Sequence, residues 1–461
     1  MSLRALLTAA LIALPAAAIT TGPACPAAQA DAFARQQDIR PLPGALDTVL
    51  MVNDNNPELI KDDGILLSTF PAPGSAALDV ELNGRFDLFS HHVYAGDEES
   101  LESTLWLAVL AAPLGETPVE LKLLEGSTSL SQATRPGQTA APFLPLPTLL
   151  RETSDVIAAG PGSRVAGDLL KRRRASELST SSWQLQPGAP TTLMVLPIPV
   201  AGLDPLLNGR NLQLRLQSSG PVAIATLAAK GAKDSPPAAA HWNQLLNSGQ
   251  LSSKEHSPTP RGAKGKMIYS RVSGIQIGSG WRHRLSDPGS TALEVPSEPL
   301  SWPISSLERG SLGTGQVQTA ELKALYPNTA WAAHGNYGVD YDLTLPLKNS
   351  QTRSATVEIS LDSPMKTDRP IGGLNFRTSL TGPVMFRGPI QVSGLNDQNG
   401  QPLGRQTVHL VLRQGQQGPA LGQLTLKPGE QRDVRIRLIY PADATPPQVL
   451  TVRPVKQSSS S

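Results

Sequence analysis

The 461-residue chain contains one cysteine, Cys25, and it sits within the opening stretch MSLRALLTAALIALPAAAITTGPACPAAQADAF. With no thiol further on, the remainder cannot use disulfides, a cysteine nucleophile or thiolate metal ligands. Aromatic residues make up only 4% of the sequence, few for a protein that stacks sugars on exposed rings. Neither sign of charge is in excess: 40 Lys and Arg stand against 38 Asp and Glu, a formal net charge of +2. Global electrostatics therefore predicts no polyanionic partner and no nucleic acid. The longest apolar run, Ala5 to Ile19, is short for a permanent bilayer anchor, and no transmembrane segment is expected. Gly-x-Ser-x-Gly, a P-loop, a dinucleotide fingerprint and His-Glu-x-x-His are all missing. No cofactor is expected.

What the N-terminus does have is the layout of a secretory signal peptide: Arg4 as the one early charge, an apolar run, then small residues at Ala28 and Ala30. Cleavage after Ala30 would leave Asp31 to Ser461 and, with Arg4 gone, a net charge of +1. The expected location is the periplasm, the cell surface or the medium. Acylation of Cys25 is disfavoured, because Gly22, Pro23 and Ala24 precede it where a lipoprotein signal has its usual leucine.

The 40 glycines and 42 prolines punctuate the chain into many short segments, and these alternate with period two, so an all-β fold is expected. In DYDLTLPLKNSQTRSATVEISL, Tyr341, Leu343, Leu345 and Leu347 share one face, and Val357, Ile359 and Leu361 repeat the pattern after a polar turn. A hairpin is the simplest reading, with Pro346 marking an edge strand. LWLAVLAAPLGETPVELKLL repeats this earlier, with Val119 standing 238 residues before Val357. Likewise LQPGAPTTLMVLPIPV from Leu185 resembles LKPGEQRDVRIRLIYP from Leu426, at an offset of 241. Two segments recurring in one order at nearly one offset predict an internal duplication: two related β-sandwich domains, 31–229 and 267–454.

Between them, residues 230–266 are rich in Pro, Ser and Lys and read as a linker. Within it Trp242, Leu245 and Leu246 at helical spacing, with Gly249 as a stop, predict a short helix. Two more helices are expected near Val165–Arg174 and Thr319–Tyr326, and the tail 455–461 reads as disordered.

FDLFSHHVYAGDEE sets His91 and His92 just before Asp97, Glu98 and Glu99. Adjacent strand residues face opposite ways, so the pair cannot readily chelate one ion, and no metal site is expected. Asn53 to Asn56 and GLNDQNGQP around Asp397 and Asn399 resemble calcium loops only superficially, since Leu395 stands where an EF-hand loop would begin with aspartate. An Asn-Gly turn explains the second. Ser363 and Lys366 form a Ser-x-x-Lys without the companion motifs that would give it meaning. Lys171, Arg172, Arg173 and Arg174 end a helix, where cations favour the dipole; their functional reading is a patch for an anionic envelope component. The densest polar-aromatic cluster is AWAAHGNYGVDY, with Trp331, His334, Asn336, Tyr337 and Asp340. These five are the candidate ligand-binding residues.

RPLPG from Arg40, GILLSTF from Gly64, AGPGSR from Ala159, LNGR from Leu207, GTGQVQ from Gly313, HGNYGV from His334 and YPADATPPQVLTV from Tyr440 form a set spanning nearly the whole chain. As a set they resemble a family of exported cyanobacterial proteins known only as a domain of unknown function. The resemblance implies an envelope or extracellular location and carries no activity, cofactor or catalytic residue. The sequence is thus read as a non-enzymatic β-sandwich protein with a binding or structural role in the envelope, its partner there a glycan or a protein. Its rival is a hydrolase, cation-assisted or not, whose site is assembled from separated loops, because sites on sandwiches are seldom contiguous.

Overall fold

The computed structural model describes residues 32–455 apart from 72–73, 75, 97–102, 133–145, 152–159 and 398. The stretch with Cys25 that is read as a signal peptide, the Asp97–Glu99 run and the tail from 456 lie outside the described residues. Among the described residues the chain is all-β, with two helices.

The first sandwich faces a seven-stranded sheet against a four-stranded one. The larger sheet runs Leu322–Leu325, Val272–Ile277, Leu50–Leu59, Arg85–Ala95, Leu207–Ser218, Val119–Leu130, Ser182–Leu185, and the smaller Thr191–Pro199, Ser103–Pro113, Val222–Ala232, Gly64–Ser68. Alternation fills the space between them: Leu88, Leu121, Leu212, Leu214 and Leu216 from one side meet Val109, Ala111, Leu196 and Ile224 from the other. The second sandwich sets a sheet containing Asp340–Lys348, Gln431–Ile439, Val384–Ser393 and Gln406–Arg413 against Asp38–Ile39, Leu300–Ile304, Gln448–Pro454, Ala355–Asp362 and Gly422–Leu426. Leu343, Leu345, Ile436 and Leu410 pack there on Val357, Ile359, Leu450 and Val452.

The two expected hairpins are both corrected. Ser103–Pro113 and Val119–Leu130 lie in opposite sheets, as do Asp340–Lys348 and Ala355–Asp362. Each connection is an arch across the core. Alternation fixes which face a side chain takes but not which strand lies beside it, and a polar connection of five or six residues serves either geometry. Nor is Asp340–Lys348 an edge strand, for Gln431–Ile439 flanks one side and two short parallel strands flank the other. Those two, Gly280–Arg284 and Leu293–Glu294, pair as far as Thr344 and from Leu347 onward. Pro346 falls in the gap between them, where its missing N–H breaks no ladder. The helix expected over Thr319–Tyr326 is instead a strand, Leu322–Leu325, paired with Val272–Ile277.

The arches occur in equivalent places. Leu50–Leu59, Arg85–Ala95, Leu207–Ser218, Val119–Leu130 and Ser182–Leu185 are joined by one parallel and three antiparallel pairings. Asp38–Ile39, Leu300–Ile304, Gln448–Pro454, Ala355–Asp362 and Gly422–Leu426 repeat that order and those directions. Register differs by one side-chain period: Val119 faces Leu185, whereas Val357 faces Leu424, two residues before Leu426.

Sheet membership crosses the boundaries expected at 229 and 267. Val272–Ile277 and Leu322–Leu325 complete the first sandwich, while Ala32–Arg35, Asp38–Ile39 and Leu149–Arg151 pair within the second half. The segment read as a linker is pinned to the first sandwich. Its helix, Ala239–Ser248, lays Trp242 and Leu246 over Trp106, Leu110 and Leu227 on the outer face of the smaller sheet. Beyond it, Glu58 accepts hydrogen bonds from the backbone N–H of Glu255 and His256 at 2.7 and 2.9 Å, Asp62 accepts from Ser253, and Arg271 donates to the carbonyls of Ser252 and Ser253. Gly249 ends the helix at φ 61°, a left-handed cap that a side chain disfavours. Gly249→Ala is expected to lower stability by about 1–2 kcal/mol, read as a lowered denaturant midpoint at unchanged slope.

The second helix, Pro161–Leu170, lies between the sandwiches. It starts four residues earlier than the spacing predicts, with proline at its first position. Val165, Ala166, Leu169 and Leu170 are buried with Ile439.

Candidate functional site

The structure places the five candidate residues in two different settings. Asn336 is wholly buried: its amide donates to the Gln318 carbonyl and the Tyr341 hydroxyl and accepts from Ala320 N–H. Tyr337 donates to the Ala444 carbonyl and stacks on Phe89 of the first sandwich, ring centroids 6.3 Å apart. Burial pushes its phenol well above the usual range. Asp340 bridges the halves, pairing with Arg437 at 2.6 Å and with Arg215 of Leu207–Ser218 at 2.8 Å. Burial works against its charge, but the arginines override it and hold the carboxyl below its ordinary value. These three residues build the junction between sandwiches.

Trp331 and His334 instead line an open cleft of about 360 Å³, within the roughly 300–1,000 Å³ of small-ligand sites. Segment 258–269 supplies one wall and the loops at 307–308, 317–322 and 330–334 the other. The Trp331 indole donates to the Thr259 carbonyl at 3.3 Å, and the Arg261 guanidinium lies 5.1 Å from its ring centre, within cation–π range. Tyr269 meets His334 edge to face at 4.6 Å. Burial lowers the His334 pKa to about 3, so the ring is neutral at ordinary pH. Ile268, Tyr269 and Val317 stand 47%, 41% and 51% exposed at the rim. Glu308 and Glu321 also line the cleft, and neither carboxylate has a hydrogen-bond or ion-pair partner among the described residues.

Sequence reasoning missed Arg261, which fell in the Pro/Lys-rich linker 230–266, and Met267, Ile268 and Tyr269, which follow it directly with no motif to single them out. The adjacent run Met267-Ile268-Tyr269 was the available signal, being too apolar for a solvated tether.

The basic run sits at the end of Pro161–Leu170 and the turn after it. Arg174 donates to the Leu123 carbonyl at 3.0 Å, while the Arg172 side chain is 80% exposed and 3.9 Å from Glu125. The two histidines take opposite faces of Arg85–Ala95, as alternation requires. His92 is buried and bonds Asp54 at 2.9 Å, and that carboxylate also accepts from Thr226 at 2.6 Å. His91 points to a second cleft, beside Asn208 and Asp443, and burial with the neighbouring His92 lowers its pKa to about 4. Asp397 accepts from the backbone N–H of Asn399 and Gln401, the signature of a turn. No group of three or more His, Cys, Asp or Glu that could hold a metal ion occurs among the described residues. No helix there is long and apolar enough to cross a membrane.

The recurring motifs meet one another in space. Gln316 of GTGQVQ closes two hydrogen bonds on the Leu42 backbone of RPLPG. Ser68 of GILLSTF donates its N–H to the Tyr326 hydroxyl at 2.8 Å. Asp443 of YPADATPP caps the N-terminus of the inter-sandwich helix, accepting from Ser163 N–H and Oγ of AGPGSR at 2.6 and 2.8 Å. A Cβ on Gly160 would lie 2.4 Å from that carboxylate and one on Gly162 2.6 Å from Ala442 N. Glycine is required at both by this close approach. The motifs are fasteners of the fold.

No curated protein matches the sequence. Among solved structures, Lac15 from a marine microbial metagenome is 10% identical with a TM-score of 0.12, over 91% of this chain and 66% of that one, so the chain spans just under two thirds of its length. The N-terminal CBM22-1–CBM22-2 tandem domain of Paenibacillus barcinonensis Xyn10C is 11% identical with a TM-score of 0.12, over 87% and 93%. Superpositions this loose bear on neither fold nor function. Residues 37–454, nearly the whole described chain, match the family described as Protein of unknown function (DUF3370), and the chain belongs to that family.

Proposed function

We propose that the protein is exported and binds an envelope component, without catalysis, through the cleft around Trp331. Export rests on the signal-peptide layout of residues 1–30. The observation that carries the binding role is the contrast between this cleft and the rest of the molecule. Aromatic rings, two unpaired carboxylates and an apolar rim meet solvent here, whereas the buried Asp54–His92–Thr226 contacts have no access to it. Cleft and sandwich together suit a receptor held rigid by its scaffold. We also propose that the two five-strand runs descend from one duplicated unit, with the arches as the retained feature.

The test is fractionation of the producing cell, followed by co-sedimentation of full-length protein with isolated envelopes, wild type against Trp331→Ala. Wild type should co-fractionate and sediment with the envelope, and the variant's apparent affinity should fall about tenfold, the effect of losing about 1.4 kcal/mol. A cytoplasmic location, or sedimentation indifferent to Trp331, would overturn the reading.

A further inference from the structure

Among the described residues, the Trp331 cleft can be set beside two others of similar volume, and their charges differ in kind. In the one between the sandwiches lined by Arg85, Arg215, Arg282 and Asp340, the arginines already pair with Asp87, with Glu125 and Asp340, and with Asp342. In the one beside His91, Asp443 is spent on capping a helix. Of these three, the Trp331 cleft is the one that presents carboxylates with no partner among the described residues, beside ring surface that water reaches.

We infer that this cleft takes an uncharged, hydroxyl-rich glycan, with a sugar ring against Tyr269 and the Trp331–Arg261 wall and its hydroxyls donating to Glu308 and Glu321. The inference rests on the cleft being the binding site at all. A pyranose has apolar C–H faces and a rim of hydroxyls, so it needs ring surface for the first and strong acceptors for the second. Tyr269, 41% exposed as a residue, offers one ring. Trp331 brings a second ring, stiffened by its bond to Thr259 and by Arg261 stacked on it. Carboxylates that no protein donor satisfies are free to accept from hydroxyls, and hydrogen bonds to a charged partner are the stronger kind. Local charge gives an acidic glycan no advantage: Arg261 and Lys366, which donates to the Tyr269 hydroxyl at 3.5 Å, only balance the two glutamates, and His334 adds nothing because burial keeps it neutral. The carboxylates of a polyanion would have no donor to replace and would face Glu308 and Glu321, so the ligand differs from the anionic component that Lys171 to Arg174 suggest.

The test is isothermal titration calorimetry of the full-length protein with cellohexaose, chitohexaose and mannohexaose, and with polygalacturonate as the acidic comparison. At least one uncharged hexamer should bind, polygalacturonate should not, and Tyr269→Ala and Glu321→Gln should each weaken binding about tenfold with circular dichroism unchanged. Tighter binding of polygalacturonate, or hexamer binding untouched by either substitution, overturns the inference. If no hexamer binds while envelope sedimentation still depends on Trp331, the glycan class is wrong and the site stands. If both fail, the site itself is wrong.

Discussion

Replacing Asp443 by alanine is expected to destabilise the protein by about 2–3 kcal/mol, the loss of a helix cap together with the cost of leaving half-buried donors unpaired. Its carboxylate accepts from Ser163 N–H and Oγ at the first turn of Pro161–Leu170, where backbone donors otherwise lack partners within the helix. Arg164 and Arg387 lie close enough to favour its charge, yet burial wins and raises its pKa. The ionised form is therefore held at some cost, and this separates two substitutions. Asp443→Asn keeps an acceptor at the helix terminus and discards the costly charge, so it should lose about 1 kcal/mol, near the value of a cap. Asp443→Ala loses the acceptor as well. Guanidinium unfolding of both variants measures the difference. Equal losses would mean that the charge, and not the cap, is what matters at this junction.

Acidification from pH 7 to pH 5 should destabilise the fold by several kcal/mol before any carboxylate with an ordinary pKa titrates. Burial lowers the pKa of His409 to about 4, with Arg387 adding to the effect, and burial likewise takes His91 to about 4 and His334 to about 3. In the unfolded chain all three titrate near 6.5. Their folded values are depressed, so the unfolded state binds the extra protons, and stability is lost as pH falls below about 6.5 toward the folded values. For His409, with 1% of its surface exposed, the loss between pH 6.5 and 5 is about 2 kcal/mol. His91 and His334 are less enclosed and contribute less each. Asp87, Asp168 and Asp443 act in the opposite sense, since burial raises their pKa values and protonation relieves them, so the comparison with a histidine variant isolates the imidazole contribution from theirs. Denaturant midpoints at pH 7 and pH 5, for wild type and His409→Gln, supply the check. The variant should show a smaller drop by roughly 2 kcal/mol, and a wild-type midpoint that does not move would refute the account.

The positions of strands were legible in the sequence because period-two alternation is a local property. Val119, Leu121 and Leu123 are buried on one face, as are Leu343, Leu345 and Leu347. Their neighbours were not legible. Leu50–Leu59 lies beside Val272–Ile277, more than two hundred residues away, and no local pattern encodes a partner at that distance. The helix at Ala239–Ser248 was readable from Trp242, Leu246 and Gly249. The strand Leu322–Leu325 was not, because four residues at the edge of a sheet, half of them exposed, carry no period. At the site, Trp331 and His334 could be picked out by composition. Their opposite wall could not, since Arg261 comes from a segment whose composition mimics a tether, pinned just upstream at 253–256 by Glu58 and Asp62, and Tyr269 follows directly on it.

The interleaving of early and late strands has a consequence for how the chain is made. Leu50–Leu59 has its inner neighbour soon after synthesis, but its outer edge stays bare until Val272–Ile277 emerges, and Ala32–Arg35 waits for Leu374–Arg377. A ribosome that stalls midway leaves exposed ladder, which a second nascent copy can zip onto. Such distant pairings also slow the search for the native arrangement. The newborn polypeptide is thus vulnerable to aggregation and proteases for most of its elongation, and becomes resistant only once its last third has arrived.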